Sequence, residues 1–212
     1  VLDNLMGLSS LIELGNDLTI QENSLLTSLD GLENLVVFTE GISILENPIL
    51  SSITGLSGIS GTIRKIIIRN SMITNLNGLE GLTDVGYGVF QDRGIGIQDN
   101  ELLESLDGIE NVTTAGFLDL QSNEVLNDIA AADGLTLLNG FIIIANPSIT
   151  SMPGFNNLLE IEGALQIINN DALVSINGFQ NLAIIPGISI RNNEVLTSLP
   201  TFQPMDLNGV TI

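Results

Sequence analysis

An asparagine recurs along this chain at nearly constant intervals, three residues after an apolar residue that closes a strand-like run. The anchors are Ile20, Ile44, Ile67, Ile97, Leu120, Ile143, Ile167 and Ile190, separated by 24, 23, 30, 23, 23, 24 and 23 residues. The asparagines are Asn23, Asn47, Asn70, Asn100, Asn123, Asn146, Asn170 and Asn193. A fixed period of this length indicates a repeat architecture, so one unit must account for most of the chain.

Each unit contains short runs in which apolar residues alternate with polar ones, such as Leu18 and Ile20. This period-2 pattern is typical of strands, and the glycines and polar residues between the runs predict turns. Such a unit cannot bury its apolar side alone, whereas stacked neighbours can. The pattern predicts an all-β repeat fold, a right-handed parallel β-helix or leucine-rich-repeat-like solenoid of about eight rungs of 23–24 residues.

The recurring asparagines have a structural explanation. A turn after a strand leaves backbone N–H and C=O groups without ladder partners, and a buried amide side chain supplies both a donor and an acceptor. In-register stacking would also join each amide to its neighbour. We therefore predict a structural asparagine ladder along the rod.

We expect residues 1–212 to form a single solenoid domain. Residues 1–14 read as a partial repeat, full rungs follow from about residue 15 to residue 212, and an insertion lies at about 86–96. Since the first residues fall within a repeat, we expect the chain to be a mature product or part of a longer one.

The runs from Asn23 to Ile44 and from Asn170 to Ile190 resemble the receptor L-domain repeat. That repeat is a leucine-rich-repeat-like β-helix found in ligand-binding lobes of insulin- and EGF-receptor-type ectodomains, and in fungal and bacterial surface proteins. The chain lacks Cys and Trp, unlike the animal receptors. The resemblance therefore implies a microbial surface protein, located at the cell surface or outside the cell.

The composition argues against two classes of function, nucleic-acid binding and membrane insertion. The chain carries 25 acidic and five basic residues, for a net charge of −20. Phosphate backbones are bound through cations, so we expect no nucleic-acid binding. No apolar run approaches the length that spans a bilayer, and we expect no membrane insertion by this segment.

The chain has no His and no Cys, which closes the usual acid–base and thiol chemistry. We expect no enzyme activity and no cofactor. Two less favoured alternatives are a polysaccharide-active β-helix that uses paired carboxylates and an ice-binding row of hydroxyls. Glu104, Asn127 and Val174 interrupt the hydroxyl row, which consists of Thr27, Ser51, Thr74, Thr150 and Thr197.

Four carboxylates are weak candidates for calcium ligands. Glu101 precedes Glu124 by one rung, and Asp171 precedes Glu194 by one rung, so like charges would stack at strand spacing. Hard cations favour such oxygen clusters. The alternative is that they are solvated turn residues, and no calcium-loop motif accompanies them.

The one long interval places extra residues between Val85 and Ile97. They include Tyr87, Phe90, Asp92 and Arg93. A loop that interrupts a regular solenoid is a reasonable binding element, since aromatic and arginine side chains anchor interfaces. The alternative is a neutral insertion that the solenoid tolerates.

Two further candidate binding patches come from apolar residues at positions that face outward in the other rungs. The residues are Leu45, Ile66 and Ile68 in one patch, and Ile142, Ile144 and Ile168 in the other. Exposed apolar patches mark interaction surfaces. A register shift is the alternative, because both isoleucine runs are uninterrupted.

Two functions follow from these features. The first is a non-enzymatic recognition or adhesion module that holds a protein or glycan partner on its sheet face and its insert. The second is a structural subunit that assembles head to tail into a filament or surface layer, because open solenoid ends leave strand edges unpaired.

Overall fold

The computed structural model describes residues 2–86 and 94–200 and the backbone of residues 209–211. These residues form an all-β parallel solenoid of about seven turns, with no α-helix among them. Short 3₁₀ segments lie at Met6–Leu8, Thr54–Leu56 and Ala130–Gly134. Within these ranges, no helix is long and apolar enough to cross a membrane.

The strands follow the predicted repeat. They are β1 (Leu18–Gln21), β2 (Gly41–Asn47), β3 (Gly61–Ile63), β4 (Lys65–Ser71), β5 (Leu82–Val85), β6 (Gly94–Gln98), β7 (Thr114–Gln121), β8 (Leu137–Ile144), β9 (Ser151–Met152), β10 (Glu160–Ile161), β11 (Ala164–Ile168), β12 (Ser175–Ile176), β13 (Gly187–Arg191) and β14 (Gly209–Thr211).

Parallel pairing builds one main sheet in the order β1-β2-β4-β6-β7-β8-β11-β13-β14. A second set of pairs joins β3, β5, β7, β8 and β10, so β7 and β8 contribute to both sets. Each turn of the chain therefore adds one strand to the main sheet, directly beside the strand of the preceding turn. This stacking aligns equivalent residues into columns along the rod.

The core is one continuous hydrophobic cluster running along the rod. Two inward residues of each main-sheet strand from β1 to β13 contribute to it, as Leu118 and Leu120 do in β7. Towards the C-terminal turns the core contains three fully buried phenylalanines, and the Phe155 and Phe179 rings stack with their centroids 5.0 Å apart. Phe141 lies 4.8 Å from Phe155.

The register of β4 differs from the prediction. Ile68 pairs with Ile44 on one side and with Ile97 on the other. Ile66 and Ile68 are consequently fully buried, and Ile67 faces outward. The prediction that Ile67 is the inward anchor, with Ile66 and Ile68 in an exposed patch, was wrong. With Ile67 inward, Lys65 would also have pointed into the core, where an ammonium group loses its hydration.

The asparagine ladder changes at the same turn. Ser71, not Asn70, occupies the ladder position and is buried. Asn70 is exposed and has a left-handed backbone, with φ of 53°. The prediction that Asn70 belongs to the ladder was therefore wrong. The other predicted members lie at the ladder position: Asn23, Asn47, Asn100, Asn123, Asn146, Asn170 and Asn193.

Candidate interaction face of the main sheet

The ladder is the scaffold behind the candidate site. The Asn123 Oδ1 atom accepts from the backbone N–H of Asn100 at 3.2 Å. The Asn123 Nδ2 atom donates to the backbone carbonyl of Ile97 at 3.0 Å and to Asn146 Oδ1 at 3.1 Å. The Asn123 amide thus satisfies groups of the preceding turn and bonds to the next. Because buried polar groups without partners are costly, this arrangement holds successive strands in one register.

A left-handed residue ends every main-sheet strand from β1 to β13, immediately before the ladder position. The φ angles lie between 53° and 58° for Glu22, Glu46, Asn70, Asp99, Ser122, Ala145, Asn169 and Asn192. Asparagine adopts this backbone more readily than most residues do. The repeated bend separates the outward face of the main sheet from the turn surface that follows it.

A chain of polar side chains crosses the centre of the outward face. Arg69 Nη2 donates to Gln98 Oε1 at 2.6 Å, and Gln98 Nε2 donates to Asp119 Oδ2 at 2.8 Å. Asp119 Oδ1 also accepts from Gln121 Nε2 at 2.7 Å. These bonds connect β4, β6 and β7 and orient the polar groups across the face.

An apolar patch lies beside this polar chain. Ile142 and Ile144 of β8 and Ile168 of β11 are half-buried on the outward face, and Ile144 pairs in register with Ile168. Leu45 of β2 is also half-buried on this face, directly beside the polar chain, because it pairs in register with Arg69. Ile66 and Ile68 do not contribute to the face, while Ile67 does.

Sequence reasoning missed one aromatic residue on this face. Phe117 of β7 is half-buried. A Cβ atom at Gly140 would lie 2.5 Å from the Phe117 ring, so the ring covers the backbone of the neighbouring strand and a side chain there would displace it. The signal was available, because the same column holds the small or polar residues Asp17, Gly41, Gly94 and Gly140 in other turns.

An ion cluster lies at the N-terminal side of the face. Arg64 Nη2 lies 2.6 Å from Asp17 Oδ1, Arg64 Nε lies 3.4 Å from Glu40 Oε2, and Lys65 Nζ lies 3.7 Å from Asp17 Oδ2. The Arg64 hydrogen bond and the backbone N–H of Gly41 lower the pKa of Asp17 below its ordinary value of 3.8. Two of the five basic residues of the chain are thus used in this cluster.

Some of the many carboxylates have structural roles. Glu33, Glu80 and Glu110 each accept from the backbone N–H of the glycine two residues earlier, at 2.9 to 3.0 Å. The Gly31 N–H lowers the pKa of Glu33. The repeated Gly-x-Glu spacing therefore caps turns.

The weak calcium candidates are separated into different surroundings. Glu101 and Glu124 line one surface groove of about 310 Å³, together with Glu46, Asn70, Asp99 and Ser122. Asp171 and Glu194 are exposed further along the rod. In the described ranges 2–86 and 94–200, no group of three or more carboxylates is arranged to hold a metal ion.

The four candidate binding residues of the predicted insertion lie outside the described residues, while its last positions, 94–96, belong to β6. Tyr87, Phe90, Asp92 and Arg93 all fall within positions 87–93. The insert remains a prediction.

Comparison with models of known protein families, with curated proteins and with solved structures finds no match for this chain. The fold assignment therefore depends on the repeat and on the parallel strand pairing described above.

Proposed function

We propose that this chain is a non-enzymatic recognition or adhesion module of the receptor L-domain type, which binds a protein or glycan partner at the cell surface or outside the cell. The observation that carries the proposal is the outward patch of Ile142, Ile144 and Ile168. These side chains are held in register on a parallel sheet beside polar groups. An apolar centre with a polar rim is the usual composition of an interface.

Phe117 and the Gln98–Asp119–Gln121 hydrogen bonds add to this support. An aromatic ring gives a large contact area that is already ordered, because Gly140 beneath it leaves space for the ring. The amide and carboxylate groups can exchange their mutual bonds for bonds to a ligand. Such groups would suit either the hydroxyls of a glycan or the backbone of a protein.

The experiment compares two double variants in binding to immobilised glycans and to intact cells. Ile144→Ser with Ile168→Ser changes neighbouring turns on the outward face. Leu159→Ser with Ile184→Ser is the matched control, since both residues are exposed on neighbouring turns outside the main sheet, at 52% and 51%. We expect binding to be lost only in the first variant. Equal binding by both folded variants would contradict the proposed face.

A second candidate function is a structural subunit that assembles end to end. Leu2, Met6 and Leu8 are exposed in the first, partial turn, at 52%, 59% and 41%, and apolar residues at such a position can cover a neighbouring turn. Sedimentation velocity over a range of concentrations tests this function. Growth into long species that Met6→Ser with Leu8→Ser abolishes would favour the filament, and a constant monomer mass would contradict it.

A further inference from the structure

The turn surface beyond the main sheet carries an apolar stripe. It consists of the residue two positions after the ladder residue in successive turns. In the third turn, which contains β4, it is the residue one position after the ladder residue. We call the following residues the turn stripe: Leu25, Ile49, Met72, Leu102 and Val125. Four of them are exposed, at 56% for Leu25, 38% for Ile49, 42% for Met72 and 44% for Leu102, and Val125 is half-buried.

Hydrogen bonds on both sides align the stripe. The ladder lies on one side, and on the other Ser51 N donates to Thr27 O at 3.0 Å and Asn127 N donates to Glu104 O at 3.1 Å. In the third turn, Met72 N donates to Leu50 O at 2.8 Å. The five apolar residues therefore follow one another at the strand spacing of about 4.8 Å.

The surroundings of the stripe are acidic. The surface groove of about 310 Å³ runs between the stripe and the left-handed residues that precede the ladder positions. We call it the acidic groove. Its carboxylates are Glu46, Asp99, Glu101 and Glu124, all exposed. The third turn has one residue fewer after its ladder position than the other turns, because only Met72 separates Ser71 from the buried Ile73. That turn therefore lacks the position that Pro48 and Glu101 occupy in the two neighbouring turns.

We propose that the turn stripe and the acidic groove bind a cationic amphipathic α-helix of a partner protein. Apolar residues on one line of a helix recur about every 5.4 Å, close to the spacing of the stripe, whereas same-face residues of an extended strand recur about every 6.8 Å. Five stripe residues span about 19 Å, which matches a helix of about 13 residues.

Charge determines the chemistry of that helix. Lysine or arginine residues beside its apolar line would lie over the groove and its four carboxylates. A neutral or acidic helix would bury the same apolar area but would gain no attraction or would be repelled. Contact with the apolar face of an amphipathic helix is a general mode of recognition, and Met72 offers an adaptable contact at the centre of the stripe. This surface is separate from the outward face, so the inference does not depend on the proposed function.

The probe is a fluorescently labelled Leu/Lys peptide of about 18 residues, with its leucines on one helical face. Two control peptides accompany it, one with the same composition and the leucines scattered, the other with glutamate in place of lysine. Fluorescence anisotropy is measured with the intact chain at low and high salt. We expect only the Leu/Lys amphipathic peptide to bind, with affinity that falls as salt rises.

Two pairs of variants locate the binding. Leu102→Ser with Val125→Ser is expected to weaken binding about tenfold, as loss of central anchors does, whereas the control Leu159→Ser with Ile184→Ser leaves it unchanged. Glu101→Gln with Glu124→Gln should reduce both affinity and salt dependence. Asp30→Asn with Asp107→Asn removes the same net charge at exposed turn residues elsewhere and should change the affinity less.

Several outcomes would overturn the inference. They are an absence of binding by the Leu/Lys peptide, equal binding by the scattered peptide, or equal effects of the stripe variant and its control. A concentration-dependent dimer that is lost only in the Leu102→Ser, Val125→Ser variant would identify a second copy of the chain as the occupant, and this too would contradict a helical partner.

Discussion

Two stretches of this chain have the same local pattern and opposite orientations. In Ile66-Ile67-Ile68-Arg69-Asn70 the outer isoleucines are buried, whereas in Ile142-Ile143-Ile144-Ala145-Asn146 only the central one is fully buried. Asn70 forms the left-handed bend, while Asn146 belongs to the ladder. Three consecutive isoleucines do not specify a face, because either set of alternate positions is apolar. The flanking residues and the neighbouring strands decide.

The largest expected effect comes from truncating a buried isoleucine of the first stretch, with an outward isoleucine of the same stretch as the comparison. Ile68→Ala should lower the free energy of unfolding by about 3 to 4 kcal/mol, because it leaves a cavity in a close-packed core. Ile67→Ala should lower it by less than about 1 kcal/mol. Urea unfolding followed by circular dichroism measures both. Equal losses would mean that the register of β4 differs from the one described.

The two asparagines provide the next comparison. Asn146→Ala removes an amide that donates to the carbonyls of Leu120 and Ile144 and accepts from Asn123. We expect a loss of about 2 to 3 kcal/mol, because buried groups remain without partners. Asn70→Ala should cost less than about 1 kcal/mol, through its left-handed backbone. A larger loss for Asn70 in the same urea experiment would contradict its place outside the ladder.

Ser71 tests how far a hydroxyl replaces the ladder amide. Its Oγ atom donates to Asn100 Oδ1 at 2.7 Å, and its backbone N–H donates to the same atom at 3.1 Å. Ser71→Ala keeps the second bond, so we expect a loss of only about 1 kcal/mol. Thermal unfolding alongside Asn146→Ala measures the difference. A loss as large as that of Asn146→Ala would show that the third turn depends on its ladder residue as strongly as the sixth.

The smallest expected effect concerns the ion cluster of Arg64, Lys65 and Asp17. Arg64 and Lys65 directly precede the first isoleucine stretch, and the second stretch has no such basic pair before it. Arg64 lowers the pKa of Asp17 in the folded chain. The resulting stabilisation is present above the ordinary value of 3.8 and disappears as the pH falls through the lowered pKa. It should amount to less than about 1 kcal/mol, because the pair is partly exposed to water.

Asp17→Asn should therefore lower the melting temperature slightly at neutral pH and leave it unchanged in strong acid. Asp30→Asn, an exposed turn carboxylate without such a partner among the described contacts, is the control. A difference between wild type and Asp17→Asn that persists in strong acid would contradict the ionic explanation.

Two features of the candidate surfaces are readable from the sequence, although the sequence analysis did not identify them. Lys65 excludes the inward register of Ile67, and this signal could have corrected both Ile66 and Ile68. The turn stripe was also present as a column, two residues after most of the ladder asparagines. The groove could not be predicted, since its shape depends on the third turn being one residue shorter than its neighbours and on the side chains of four turns.

The period, the all-β solenoid fold and seven of the eight ladder asparagines follow from the sequence alone. The physical reason is repetition. Each structural position recurs in every turn with the same kind of residue, so an exception in a single turn does not hide the pattern. Tertiary structure decided the placement of Phe117 over Gly140 and the union of the stripe with the acidic groove. These features depend on hydrogen bonds and packing between residues more than 20 positions apart, which no local pattern contains.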